Sequence, residues 1–130
     1  MRSLFRVGTA LGAAGLAATL GIAVMAAAPA VPADVNFTKH IAPILQRKCQ
    51  ACHQPGSIAP MSLLTYGDAV DNADAIKQKV SQRLMPPWHI DKTVGIQAFK
   101  NDRSLTDAQI ESIVHWVDDG APMGNEADMT

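Results

Sequence analysis

Cys49-Gln50-Ala51-Cys52-His53 decides how this chain is read, because it holds the only two cysteines in 130 residues. Two cysteines three apart suit a dithiol switch, half of a zinc site, or an anchor for a larger group. A redox Cys-x-x-Cys is expected beside a strand-helix-strand unit, with its cysteine opening a helix. Structural zinc wants four N or S ligands with a second pair spaced like the first, whereas His40, His89 and His115 are scattered. A disulfide over so short a span closes too small a loop to stabilise much.

The flanking sequence weighs on that choice. Upstream, Ile41, Ile44, Leu45, Cys49 and Cys52 recur at steps of three and four, which predicts a helix over about 38–52. Pro43 lies near its start and predicts an irregular first turn. The cysteines therefore end a helix instead of opening one. Residues 54–60 hold two prolines and a glycine and read as loop. A second helix is predicted beyond them, with Asp68 as its cap and Ala69, Ala73, Ile76, Val80 and Leu84 as its buried stripe. Pro86-Pro87 stops it. Residues 89–103 read as loop, with Gly95 and Asn101-Asp102 as turn formers. Thr106-Asp107-Ala108-Gln109 is a capping box, with Leu105 and Ile110 placed for a hydrophobic staple. Ile110, Ile113, Val114 and Val117 form the last apolar stripe, and Gly120 then Pro122 end it. No alternating run of β-branched residues supports a sheet. The pattern predicts an all-α fold of three main helices with long connections.

Toward the N-terminus, Arg2 and Arg6 precede an apolar, small-residue run from Val7 to Ala28, with no charge until Asp34. A short basic region, an apolar region and small residues make the pattern of a secretory signal peptide. Residues 1–33 are expected to be that signal, cleaved after Ala33, with 34–130 as the domain. The other reading is an uncleaved membrane anchor, since about 20 apolar residues span a bilayer. The run is rich in Ala and Gly and poor in Leu and Ile, which weakens insertion. Either way the functional part is expected outside the cytoplasm, in the periplasm. Without Arg2 and Arg6, 9 of the 11 basic residues face 12 acidic ones, a net charge of −3. That argues against nucleic acid as a partner, which wants a basic footprint.

Cys-x-x-Cys followed at once by His is the attachment signature of a c-type haem. Two thioethers clamp one edge of the porphyrin, and the adjacent imidazole reaches the iron from one face. After the signal, Phe37, Tyr66, Trp88, Phe99 and Trp116 are the only aromatics, so a cofactor has room to fill the middle of a small domain. Cys49 and Cys52 are then the covalent anchors and His53 the proximal iron ligand. The second axial ligand is expected to be Met85, in Leu84-Met85-Pro86-Pro87-Trp88, where two prolines stiffen the backbone beyond it. Met/His ligation raises the reduction potential. His89, on the same loop, is the rival. Met61 follows His53 closely and is expected on the proximal side. His40 and His115 lie on helices, and Met123 and Met129 in the tail.

Three motifs then stand in order: Cys49 to His53, Met85-Pro86-Pro87, and the helix from Leu105-Thr106-Asp107-Ala108-Gln109-Ile110 to Trp116. In this the chain resembles the monohaem class I cytochromes c, from about Phe37 to Pro122. Ile41-Ala42-Pro43-Ile44-Leu45, Met61-Ser62-Leu63-Leu64-Thr65-Tyr66 and Met85-Pro86-Pro87-Trp88-His89 are similar to a bacterial branch whose domain also occurs next to redox enzyme domains. The resemblance implies a class I cytochrome c fold around one covalent haem c. His53 is proximal, Met85 distal, and the first and last helices cross. It also implies a proline carbonyl on the Nδ1 proton of the proximal imidazole, for which Pro60 is the best match. The usual glycine at the helix crossing is missing, and Ala42 is expected to take its place opposite Trp116. The loop from Trp88 to Arg103 is longer than in minimal members.

The expected function is one-electron transfer rather than catalysis, since no set of acid, base and nucleophile can be named. Two alternatives stay open: an accessory subunit fixed to a periplasmic oxidoreductase, and a haem-based small-molecule sensor. Lys48, Lys77, Lys79 and Arg83 are placed to ring an exposed haem edge and to dock the acidic surface of a redox partner. Asp118, Asp119, Glu126 and Asp128 load the opposite sign onto the C-terminal end. The other reading of these charges is an ordinary solvated face.

Overall fold

The computed structural model of the chain describes residues 31–87, 91, 93–95 and 99–129. The signal or anchor reading lies almost wholly outside them, and so does His89. Among the described residues the chain is helical and contains no strand, so the fold is all-α. No helix among them is long and apolar enough to cross a membrane.

The first helix opens as a π turn, Phe37–Ile41, and continues as α1, Ala42–Lys48. The widened turn has a local cause. Pro43 has no N–H for the carbonyl of Lys39, and its ring crowds that carbonyl. Just before it, the backbone bonds five residues back: Ile41 N–H to the Asn36 carbonyl and Ala42 N–H to that of Phe37. This is the π geometry. The helix stops at Lys48, short of Cys52, where the Gln50 N–H returns to the Leu45 carbonyl at 2.9 Å.

Helix N-termini leave donors without partners, and here the far end of the chain supplies two acceptors. Phe37 N–H donates to the Pro122 carbonyl at 2.9 Å and Thr38 N–H to that of Met123 at 3.0 Å. The Asn36 side chain accepts from Lys39 N–H at 3.1 Å. Sequence and cap thus close the domain on itself.

The predicted second helix is two helices, α2 (Tyr66–Asp71) and α3 (Ala73–Ser81). Asn72 divides them: its φ of −114° and ψ of 12° leave the helical region, and its Nδ2 donates to the Asp68 carbonyl at 2.8 Å. Asp68 is not the cap. Thr65 is, and Asp68 stands three residues on, its carboxylate accepting from the Thr65 N–H while its own N–H bonds the Thr65 hydroxyl. Leu84 is not in the buried stripe either, being 51% exposed. Arg83, at φ 55°, turns the chain away with Arg83 N–H bonded to Val80 and Leu84 N–H to Lys79, a Schellman closure.

The last helix, α4, runs Asp107–Asp118 with the Thr106–Gln109 capping box. Leu105 is buried and Ile110 packs on the same core. Gly120 (φ 81°) and a bond from Ala121 N–H to the Trp116 carbonyl end it. Helix α4 packs on α3 and on the π turn. Trp116 is fully buried, its ring 6.0 Å from that of Phe37, which also meets Tyr66 edge-on at 5.2 Å. The ring set against Trp116 is thus Phe37, with Ala42 buried in the same core. Trp116 Nε1–H donates to Pro122 and the Tyr66 hydroxyl to Ala121, so both polar tips are satisfied.

Candidate functional site

Cys49 to His53 leave α1 as a tight turn, with Cys52 and His53 N–H groups returning to the Cys49 carbonyl at 3.1 and 3.0 Å. The chain then loops out and comes back beside it. Ala59 N–H donates to the Cys52 carbonyl at 3.2 Å and Leu63 N–H to that of His53 at 3.0 Å. Midway between these two bonds, the Met61 carbonyl accepts from His53 Nδ1 at 3.2 Å. This corrects the expectation for Pro60. The two flanking bonds fix the register of the returning segment, and the residue centred on the ring is Met61, one position beyond the proline. A carbonyl can only accept, so Nδ1 carries the proton and Nε2 keeps its lone pair. Met61 thus meets the His53 ring through its backbone.

Cys49, Cys52, His53 and Met85 all line one cavity of about 450 Å³, walled by Ile58 and by Pro86 and Pro87. That volume is in the usual range for small-molecule sites, about 300–1,000 Å³. Met85 and Pro86 also border a second cavity of about 640 Å³, whose walls include Arg83, Ser104 and Asp107. The α3 closure at Arg83 and the two prolines together carry Met85 to this position from a different part of the chain.

The Cys49 thiol is not set up as a redox nucleophile. Both thiols are free. Burial pushes the Cys49 thiol up to about 11, with Cys52 adding to the shift and Lys48 opposing it. Such a thiol is protonated at neutral pH, whereas a dithiol switch works through its thiolate. Among the described residues no three His, Cys, Asp or Glu side chains gather as ligands of a bare metal ion.

The side chains present fit a c-type haem. Two thiols, an imidazole whose Nδ1 is tied to the Met61 carbonyl, and a thioether share one apolar cavity. Ile58 is 80% exposed and Met85 39%, apolar surface that a large apolar group would cover.

The charges around the site are arranged differently from the expected ring. Lys77 pairs with Asp118 and Arg83 with Asp107, so two of the four cations are locally neutralised. The Lys48 ammonium donates to the Asp102 carbonyl at 2.9 Å and, with Arg103, borders the cavity. Arg103 was not singled out by the sequence; it follows a loop with no periodicity to place it. His40 and His115 are held locally, His40 Nδ1 accepting from Asn36 N–H at 3.1 Å and His115 Nδ1 lying 3.1 Å from the Asp119 carboxylate.

Compared with protein-family models, with curated proteins and with solved structures, the chain matches none.

Proposed function

We propose that the chain is a periplasmic one-electron carrier of the class I cytochrome c type, holding one covalent, His/Met-ligated haem c. The observation that carries this reading is the gathering of Cys49, Cys52, His53 and Met85 around one apolar cavity. The bound group supplies the chemistry, its iron cycling between ferrous and ferric. Cys49 and Cys52 tether it through thioethers, so an exported protein does not lose it. His53 Nε2 and Met85 Sδ would hold its iron. Met61 holds the proton on His53 Nδ1 and so fixes which nitrogen is free. Ile58, Pro86 and Pro87 give the bound group an apolar wall. Lys48 and Arg103 are the cations beside the cavity that suit an acidic redox partner.

The test is optical. The exported protein should keep its haem through denaturing electrophoresis and show the weak red-edge band of a Met-ligated ferric haem. Cys49→Ser with Cys52→Ser should abolish covalent attachment, and Met85→Ala should keep it but lose the band. A spectrum unchanged in Met85→Ala and altered in His89→Ala would move the distal ligand to His89. Absence of covalent haem from the exported native protein would remove the reading altogether.

A further inference from the structure

Gln50 is the first of the two residues between the cysteines, a position the attachment chemistry leaves open. Its backbone is fixed from behind, where its N–H bonds the Leu45 carbonyl at 2.9 Å. Its side chain reaches forward, and Nε2 donates to the Leu63 carbonyl at 2.9 Å in a partly buried contact. Leu63 is itself buried, and its N–H donates to the His53 carbonyl at 3.0 Å. The N–H and the carbonyl of Leu63 are therefore both held by the turn that carries the cysteines.

Two residues before Leu63 stands Met61, whose carbonyl takes the proton of His53 Nδ1. The returning segment is gripped on one side of Met61 by Ala59 N–H on Cys52 and on the other by Leu63. Beyond Leu63 the chain is handed to α2, where the Asp68 carboxylate accepts from Ser62 Oγ and Leu64 N–H at 2.7 and 3.0 Å. Gln50 and His53 are the side chains of the Cys49–His53 turn that bond this segment among the described residues.

We infer that Gln50 is a positioning residue for the proximal ligand: its amide pins Leu63 so that the Met61 carbonyl stays on His53 Nδ1 and sets the imidazole's donor strength toward iron. The physical route is short. A tighter Nδ1–H···O=C bond makes the imidazole a stronger donor, and outer partners of a ligating histidine tune both its orientation and its basicity. Stronger donation favours the ferric state and lowers the potential. The inference rests on the haem reading of the cavity.

The test replaces the donor with an apolar side chain of similar length, Gln50→Met, in the exported, haem-loaded protein. Covalent attachment and the red-edge band should be retained, the reduction potential should shift upward, and the His53 Nδ1–H in the ferrous protein should exchange with solvent faster than in the native one. Gln50→Glu keeps the length and sets an acceptor against an acceptor. It should speed the same exchange whatever its added charge does to the potential, and it decides the question if Gln50→Met does not load. Native and variant proteins that are both loaded, with coincident potentials and coincident exchange, would overturn the role of Gln50 while leaving the haem reading intact. Failure of both variants to load would assign Gln50 to attachment instead and overturn it too. A native protein without covalent haem removes the earlier reading, and with it this one.

Discussion

His53 Nδ1 lies 3.2 Å from the carbonyl oxygen of Met61, eight residues on. The partner is a backbone atom, so the side chain that carries its name is free to be something else. Of the two methionines in this region, Met61 meets the imidazole through its carbonyl, while Met85 lines the cavity beside His53.

Met61→Leu should therefore leave the ligand spectrum unchanged and cost less than about 1.5 kcal/mol, as a near-isosteric apolar exchange does. Thermal unfolding followed beside the visible spectrum checks this. Loss of the red-edge band in Met61→Leu would make Met61, not Met85, the axial ligand.

Among the described residues Trp116 is the largest fully buried side chain, and its indole N–H bonds the Pro122 carbonyl at 3.0 Å. Trp116→Ala should destabilise by about 3–5 kcal/mol through the cavity it leaves. Trp116→Phe keeps most of the ring area and removes one of the two bonds to the Pro122 carbonyl, which still accepts from Phe37 N–H. A smaller loss, about 0.5–1.5 kcal/mol, is expected there. Urea midpoints for the pair rank the two effects, and equal losses would refute the ranking.

Gly124 passes the first helix so closely that an added Cβ would stand 2.6 Å from Asn36 Oδ1 and 2.6 Å from Thr38 Oγ1, at φ 82°. Gly124→Ala should displace the cap of the first helix and cost about 1–3 kcal/mol, as overpacking does. Gly56 has a similar φ of 79° and nothing within 4 Å of the added atom. Gly56→Ala should show only the left-handed backbone strain of about 1–2 kcal/mol. A chemical-denaturation series with both variants separates crowding from strain.

Asp68 accepts from Ser62 Oγ and from the N–H groups of Leu64 and Thr65. Those bonds, the one from Ser62 first, hold its carboxyl below the usual range. The folded state thus binds its proton less readily than the unfolded chain does. Its contribution is fully present above the ordinary aspartate value of about 3.9 and is lost as the pH falls through the lowered one. Asp68→Asn should flatten this part of the acid-unfolding curve, leaving a smaller difference from the native protein at low pH than at pH 7. A constant difference across that range would show that Asp68 does not titrate as described.

Local chemistry was legible wherever a few adjacent residues decide the matter. The capping box at Thr106 and Gln109, the stop at Gly120, and the irregular turn before Pro43 all follow from side chains within a turn of one another. The middle helix was harder. Ala69, Ile76 and Val80 do point inward, but apolar spacing does not register that Asn72 bonds its side chain back to Asp68 and breaks the run. Asp68 looked like a cap because Asp suits that place, yet Thr65 three residues earlier completes a reciprocal pair that Asp68 alone cannot make.

By itself the sequence determined that the described domain is helical, and where its last helix begins and ends. Only the tertiary structure decided that Met61 and not Pro60 faces the imidazole, because the register of a returning loop depends on bonds to Cys52 and His53. It alone paired Lys77 with Asp118 and Arg83 with Asp107, which takes two cations from the expected ring. It alone brought the Pro122 and Met123 carbonyls to the first helix. The ion pairs and the Pro122 and Met123 bonds join residues far apart in the chain, and the Met61 contact depends on how a loop returns. The free energy of such contacts exists only once folding has brought the partners together.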